Sequence, residues 1–275
     1  MLRFLEHLDR RWIFLLMGIL VLVPLILPLS LPLMVSARAR SFHDAIAAIP
    51  DGSTVLMSCD YDPAALPELG PMTITAMHQL FDKHCKIVVT CLWETGAGIV
   101  ETVTSRVAEE RHARYGVDWV DLGFKQGREA VMVLMGQGIL NAYPRDYHGT
   151  DTHTIPILRS VRNYSSFPIL VNISAGYPGT KEWVQQVGSR FHLAIVSGTT
   201  AVSAPEYYPY LQTGQLKGLL GGMAGAAEYE KIQNEKGQAT RGMDAQSMAH
   251  VFVAICILLG NWVQWSRGRQ PKESA

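Results

Sequence analysis

The sequence predicts a doubly wound α/β domain, built on a mostly parallel sheet and flanked by an N-terminal and a C-terminal transmembrane helix. Three observations predict it. Short β-rich runs alternate with segments of helical pattern through the middle of the chain, and such alternation gives right-handed crossovers and a Rossmann-like sheet covered on both faces. Runs such as Ile87, Val88 and Val89 are apolar without alternation, which burial on both faces demands. Two uncharged apolar stretches lie near the ends of a chain with only 17% charged residues, against about 25% in an average soluble domain.

The first apolar stretch covers residues 12–35 without a charge, enough at about 1.5 Å per residue to cross a hydrocarbon core of roughly 30 Å. It far exceeds the usual length of a signal-peptide core, so an uncleaved anchor over residues 12–36 is expected. Pro24, Pro28 and Pro32 recur every fourth residue; on a helix they would share one face, loosen its second half and leave carbonyls for a partner to satisfy. The second stretch, residues 247–265, is at the short limit for a span, with His250 near one end and Asn261 near the other. Trp262 and Trp265, followed by Arg267, Arg269 and Lys272, resemble the aromatic belt and basic flank of a cytoplasmic exit. Basic residues flanking the spans number six on the terminal sides and four on the central side. The short tails 1–11 and 266–275 are therefore expected in the cytoplasm, and the 41–246 domain outside a cell (inner) membrane.

Within residues 41–246, strands are expected at 54–58, 86–92, 119–122, 168–173, 193–196 and 216–220. Helices are expected at 71–83, 98–115, 127–138, 180–189, 206–212 and 223–233, by the periodicity of apolar positions. Residues 143–164 break the alternation and read as a long polar loop, in which Asp146, His148, Asp151 and His153 are more in keeping with surface than with a metal site.

Ligands of open parallel sheets bind at the carboxyl ends of the strands, so the turns there hold the candidate residues. Asp60 and Asp62 follow the first strand; with Glu94 after the second they are weak candidates for a metal-dependent hydrolase, a placement similar to the haloacid-dehalogenase pattern. Gly176 and Gly179 after the fourth strand, and Ser197, Gly198, Thr199 and Thr200 after the fifth, are the residues expected to meet a small anionic ligand, because glycine allows close backbone approach and hydroxyls bind anions. The glycines at 221, 222 and 225 depart from G-x-G-x-x-G, and no G-x-S-x-G, H-E-x-x-H, P-loop or C-x-x-C is present. No cofactor is expected. Cys59 and Cys91, at adjacent strand ends, read as buried free thiols.

Lys plus Arg and Asp plus Glu are both 24, with a pI near 7.1, so the basic footprint of a nucleic-acid binder is missing. Four cysteines in 275 residues do not make a disulfide scaffold. The segments Asp60-Tyr61-Asp62-Pro63, 203–216 (SAPEYYPYLQTGQL) and 241–247 (RGMDAQS) resemble an uncharacterised prokaryotic family of membrane-anchored α/β proteins. The resemblance implies the fold and two membrane helices, and no activity. The function expected is that of a non-catalytic structural or interaction subunit of a membrane protein complex, its partners the lipid bilayer and a membrane protein or a second copy. A binding module for a small anionic ligand and the Asp60/Asp62 hydrolase are the competing readings.

Overall fold

A computed structural model describes residues 9–27, 29 and 31–268. They form two compact units, one of Met34–Ala239 and one of the described residues before and after it.

The first unit is built on six parallel strands: β1 (Thr54–Asp60), β2 (Lys86–Cys91), β3 (Trp119–Phe124), β4 (Ile169–Ser174), β5 (Ala194–Thr199) and β6 (Gly218–Gly221). All lie within two residues of their expected positions at one end or both. Their order is β3-β2-β1-β4-β5-β6, so the chain winds outward from β1 in one direction and from β4 in the other, the Rossmann order. The helices are α1 (Arg10–Ile26), α2 (Ala37–Ala47), α3 (Leu66–Asp82), α4 (Ala97–Glu110), α5 (Glu129–Gln137), α6 (Ile139–Ala142), α7 (Thr180–Trp183), α8 (Ala204–Gln212), α9 (Gly222–Ile232) and α10 (Gln238–Gly268). Among the described residues α1 and α10 form the second unit, apart from the first residues of α10.

Side chains alternate across a strand, and here the alternation also runs from apolar to polar along it. On the face covered by α5 to α8, Leu56, Val88, Val120, Leu170, Ile195 and Leu219 make one core with Met132, Met135, Ile139, Trp183 and Val187. Two and four residues further on, the same face carries Ser58, Asp60, Thr90, Asn172, Ser174, Ser197 and Thr199, all buried. The carboxyl half of the sheet is thus a buried polar layer over an apolar floor.

The segment expected to be a polar surface loop is corrected by its packing. Residues 143–164 include turns at Thr152–Thr154 and Pro156–Ser160, and Ile155, Ile157, Leu158, Val161 and Tyr164 are buried. The Tyr164 hydroxyl donates to the Met132 carbonyl at 2.7 Å. Helix α2 had no counterpart in the expected elements. It buries Ala39, Phe42 and Ile46, and Gly218 lets it seat: a Cβ there would lie 2.2 Å from Phe42 Cα.

In the second unit, α10 is long and apolar enough over Gln238–Trp265 to cross a membrane. Helix α1 is 17 residues, about 25 Å at 1.5 Å each. The helix expected over 12–36 ends at Ile26, because Leu27 takes extended backbone (φ −118°, ψ 99°), as sterics favour for a residue that precedes proline. Pro28 lies outside the described residues. Pro32 falls beyond α1 and is exposed, while Pro24 is buried within it, so these two do not share a helix face. Ile13, Met17, Leu20 and Pro24 on α1, and Phe252, Cys256, Leu259 and Val263 on α10, are partly or fully covered. Both sets step by four, three and four residues, the spacing of one helix stripe. The Leu31 N–H donates to Asp244 Oδ1 at 3.0 Å, giving a backbone group beyond α1 a partner on α10.

Candidate site at the strand carboxyl ends

Asp60 is the centre of the polar layer. It closes β1, is fully buried, and its carboxylate accepts from Ser58 Oγ (2.7 Å), Trp183 Nε1 (2.9 Å), Asn172 Nδ2 (3.1 Å) and the Leu92 N–H (2.8 Å). Three of the four reach Oδ2, and the Leu92 N–H alone reaches Oδ1. Burial pushes its pKa up to about 6, against the pull of those donors. The other end of Asn172 continues the network. Its Oδ1 accepts from Ser174 Oγ and Thr180 Oγ1, each at 3.0 Å, and Ser197 Oγ donates in turn to Thr180 Oγ1 at 2.6 Å. The network ties β1, β4, β5 and α7 together.

The other carboxylates proposed with Asp60 are not brought to it as a cluster. Asp62 turns to the start of the next helix and accepts from the Ala65 N–H at 3.1 Å. Glu94 is exposed at the start of a short turn after β2. Among the described residues no three His, Cys, Asp or Glu side chains are placed to hold a metal ion. In the segment 143–164, Asp146 accepts from the Thr150 N–H (2.7 Å) and the Tyr115 hydroxyl (2.9 Å), and His148 packs edge-on against Tyr115 and Tyr147.

The hydroxyl residues expected in a loop after the fifth strand lie mostly within it, since β5 runs on to Thr199, and they turn inward. Ser197 belongs to the network, and Thr199 Oγ1 is buried without a hydrogen-bond partner among the described residues. Gly198 faces the opposite side, where a Cβ would meet Ile173 and Met72 at 2.7 Å. Thr200 donates to Ser203 Oγ at 3.1 Å, before α8. Gly179 makes the close approach that only glycine permits: a Cβ there would lie 2.1 Å from the Gly176 carbonyl oxygen. Its N–H donates to Glu182 Oε2 at 2.9 Å.

What lies open is the space over the turns after β2, β3 and β4, lined by the expected candidate Glu94 together with residues not singled out from the sequence. Trp93 reaches from the end of β2 to the turn after β4, donating from Nε1 to the Pro178 carbonyl at 2.9 Å, and the Arg128 guanidinium stands 5.1 Å from the Tyr177 ring centroid. The Tyr177–Pro178 peptide is cis. These residues edge a cleft of about 510 Å³. A signal for the buried layer was present in the sequence: Ser58-x-Asp60, Asn172-x-Ser174 and Ser197-x-Thr199 each end an apolar strand, and polar residues at i and i+2 fall on one face. For Trp93, Arg128 and Tyr177 no comparable spacing exists, since they come from three separate loops. Family models, curated proteins and solved structures provide no match to this chain, so the functional conclusion follows from the chain's own geometry.

Proposed function

We propose that the protein is a membrane-anchored α/β module serving as a non-catalytic structural or interaction subunit of a membrane protein complex, with both chain ends in the cytoplasm and the α/β unit outside. The observation that carries this is the outward face of α10. His250, Ala254, Ile257 and Asn261 are exposed and spaced by four, three and four residues, so they share one stripe on the side of the helix opposite Phe252, Cys256, Leu259 and Val263. In lipid, polar side chains on an apolar helix are stabilised by partners on a neighbouring helix. The burial of Asp60 among protein donors supports the non-catalytic part, since a carboxylate with no exposed surface presents no oxygen to a substrate or metal from solvent. The anionic-ligand reading has less support, because Ser197 spends its hydroxyl within the buried layer.

The test is a joint His250→Leu, Asn261→Leu variant of the full chain, cross-linked in native membranes and purified in mild detergent. Interhelical hydrogen bonds are worth roughly 0.6–2 kcal/mol each, so the loss of two should weaken association with the partner or a second copy about eightfold or more while insertion and folding persist. Unchanged stoichiometry and affinity would remove the helix face from the interface and overturn the reading.

A further inference from the structure

The cleft over the ends of β2, β3 and β4 has the size of a small-ligand site, about 510 Å³ within the usual range of roughly 300–1,000 Å³. It adjoins β1, where the strand order reverses, the place where open parallel sheets take their ligands.

Its walls favour one class of ligand. Trp93 is fixed by its bond to the Pro178 carbonyl, and Gly176 lies beside its indole ring, where a Cβ would make an ordinary contact at 3.6 Å. Tyr177 is 53% exposed, and its ring already seats one planar cation, Arg128. The turn that delivers Arg128 is strained: Gly127 has φ 132° and Arg128 has φ 51° with ψ −122°, backbone that non-glycine residues rarely adopt and that clusters at functional sites. Two carboxylates line the cleft, Glu94 and Glu129, against the one guanidinium. Glu129 stands near enough to the Tyr177 hydroxyl to raise its pKa, against the opposite pull of Arg128, while Glu94 is exposed. An anion would face two like charges. An apolar molecule would have to desolvate three charged groups without pairing any of them. A compact organic cation meets aromatic faces and a carboxylate together, the pairing used for guanidinium and alkylammonium head groups.

We propose that this cleft binds a small organic cation, its guanidinium or alkylammonium head stacked against Trp93 and Tyr177 with its charge toward Glu94. Arg128 is then an internal competitor, holding the Tyr177 face and adding a like charge until the ligand arrives.

The experiment is calorimetric titration of the full chain in maltoside micelles with agmatine, with choline as a second cation and glutarate as the anionic control. Saturable binding of at least one cation and none of glutarate is expected. Glu94→Gln and Trp93→Leu should each weaken cation binding at least about fivefold, with the thermal midpoint of the exposed-site variant Glu94→Gln unchanged as the check on folding. Arg128→Gln should tighten it. The proposal is overturned if neither cation gives saturable heat up to about 10 mM, a ceiling near −3 kcal/mol. Binding that is indifferent to Glu94→Gln overturns it as well. Glutarate binding that Arg128→Gln abolishes would make the cleft an anion site instead.

Discussion

Asp60 and Asp121 are both buried carboxylates, and their surroundings ask different things of them. Asp60 has four donors, whereas Asp121 takes the Gly123 N–H on Oδ1 at 2.8 Å and leaves Oδ2 buried without a partner among the described residues. Burial pushes Asp60 to about 6 and Asp121 to about 7, the latter helped by the nearby charges of Glu101 and Asp146. Each folded-state value lies above the usual 3.8, so the folded chain keeps protons that the unfolded chain releases. The stability these groups contribute is fully present below about pH 4 and is lost as pH rises through 6 and 7. At about 1.4 kcal/mol per unit, Asp60 alone accounts for roughly 3 kcal/mol between pH 4 and pH 8. Asp121→Asn keeps the Oδ1 acceptor and removes the unpaired charge. It should raise stability at pH 8 by about 1–3 kcal/mol and flatten the decline between pH 5 and pH 8. Asp60→Asn sets an amide N–H among four donors and should cost about 1–3 kcal/mol at pH 8. Urea titrations at both pH values, followed by near-UV circular dichroism, check this pair; an Asp121→Asn protein less stable at pH 8 would mean that Oδ2 holds a polar partner.

The elements follow sequence periodicity closely where periodicity is strong, and helix α2 shows what happens where other signals compete. Ala39, Phe42 and Ile46 fall at i, i+3 and i+7, a helical stripe, but Arg38 and Arg40 read as charges flanking the expected N-terminal span. Its packing partner was equally hard to read, since a glycine in a short strand carries no pattern of its own. Gly218 is where α2 meets β6, with Phe42 backbone atoms at 2.2 and 2.3 Å from where a Cβ would stand. Backbone cannot swing aside as a flexible side chain does. Gly218→Ala should therefore destabilise the α/β unit by about 1–3 kcal/mol, read from the shift of its thermal midpoint. An unchanged midpoint would show that α2 can lift from β6 at no cost. The opposite case is α1, whose apolar run outlasts its helix: hydropathy does not register that the backbone before Pro28 favours extended conformations.

At the scale of the whole molecule, the proposed membrane insertion and its orientation are the properties to test. The basic flanks predict both termini inside and the α/β unit outside, and Gly149, exposed in the segment between β3 and β4, is a suitable reporter site. A cysteine introduced there, labelled in intact cells by a membrane-impermeant maleimide, should react. Protection in intact cells with reaction after lysis would reverse the orientation. The native thiols will not confuse the readout within the α/β unit, because Cys59, Cys85 and Cys91 are buried, and burial raises the pKa of each and keeps it inert.

The sequence by itself determined the alternation of strands and helices, the burial of the central strands on both faces and the apolar character of the C-terminal helix. These are local properties, written in period, composition and length. Only the tertiary structure decided which polar residues meet. Asp60 and Asn172 stand 112 positions apart, and their bond exists because β1 and β4 are neighbours in the sheet, a consequence of winding direction rather than of either segment. The open cleft was hidden for the same reason, since Trp93, Arg128 and Tyr177 converge from three loops that only the strand order β3-β2-β1-β4 sets side by side. The closure of the 143–164 segment over the sheet was likewise a tertiary matter: its polar residues suggested solvent, and its interspersed Ile155, Ile157, Leu158 and Val161 found the apolar floor that β1 to β6 provide together.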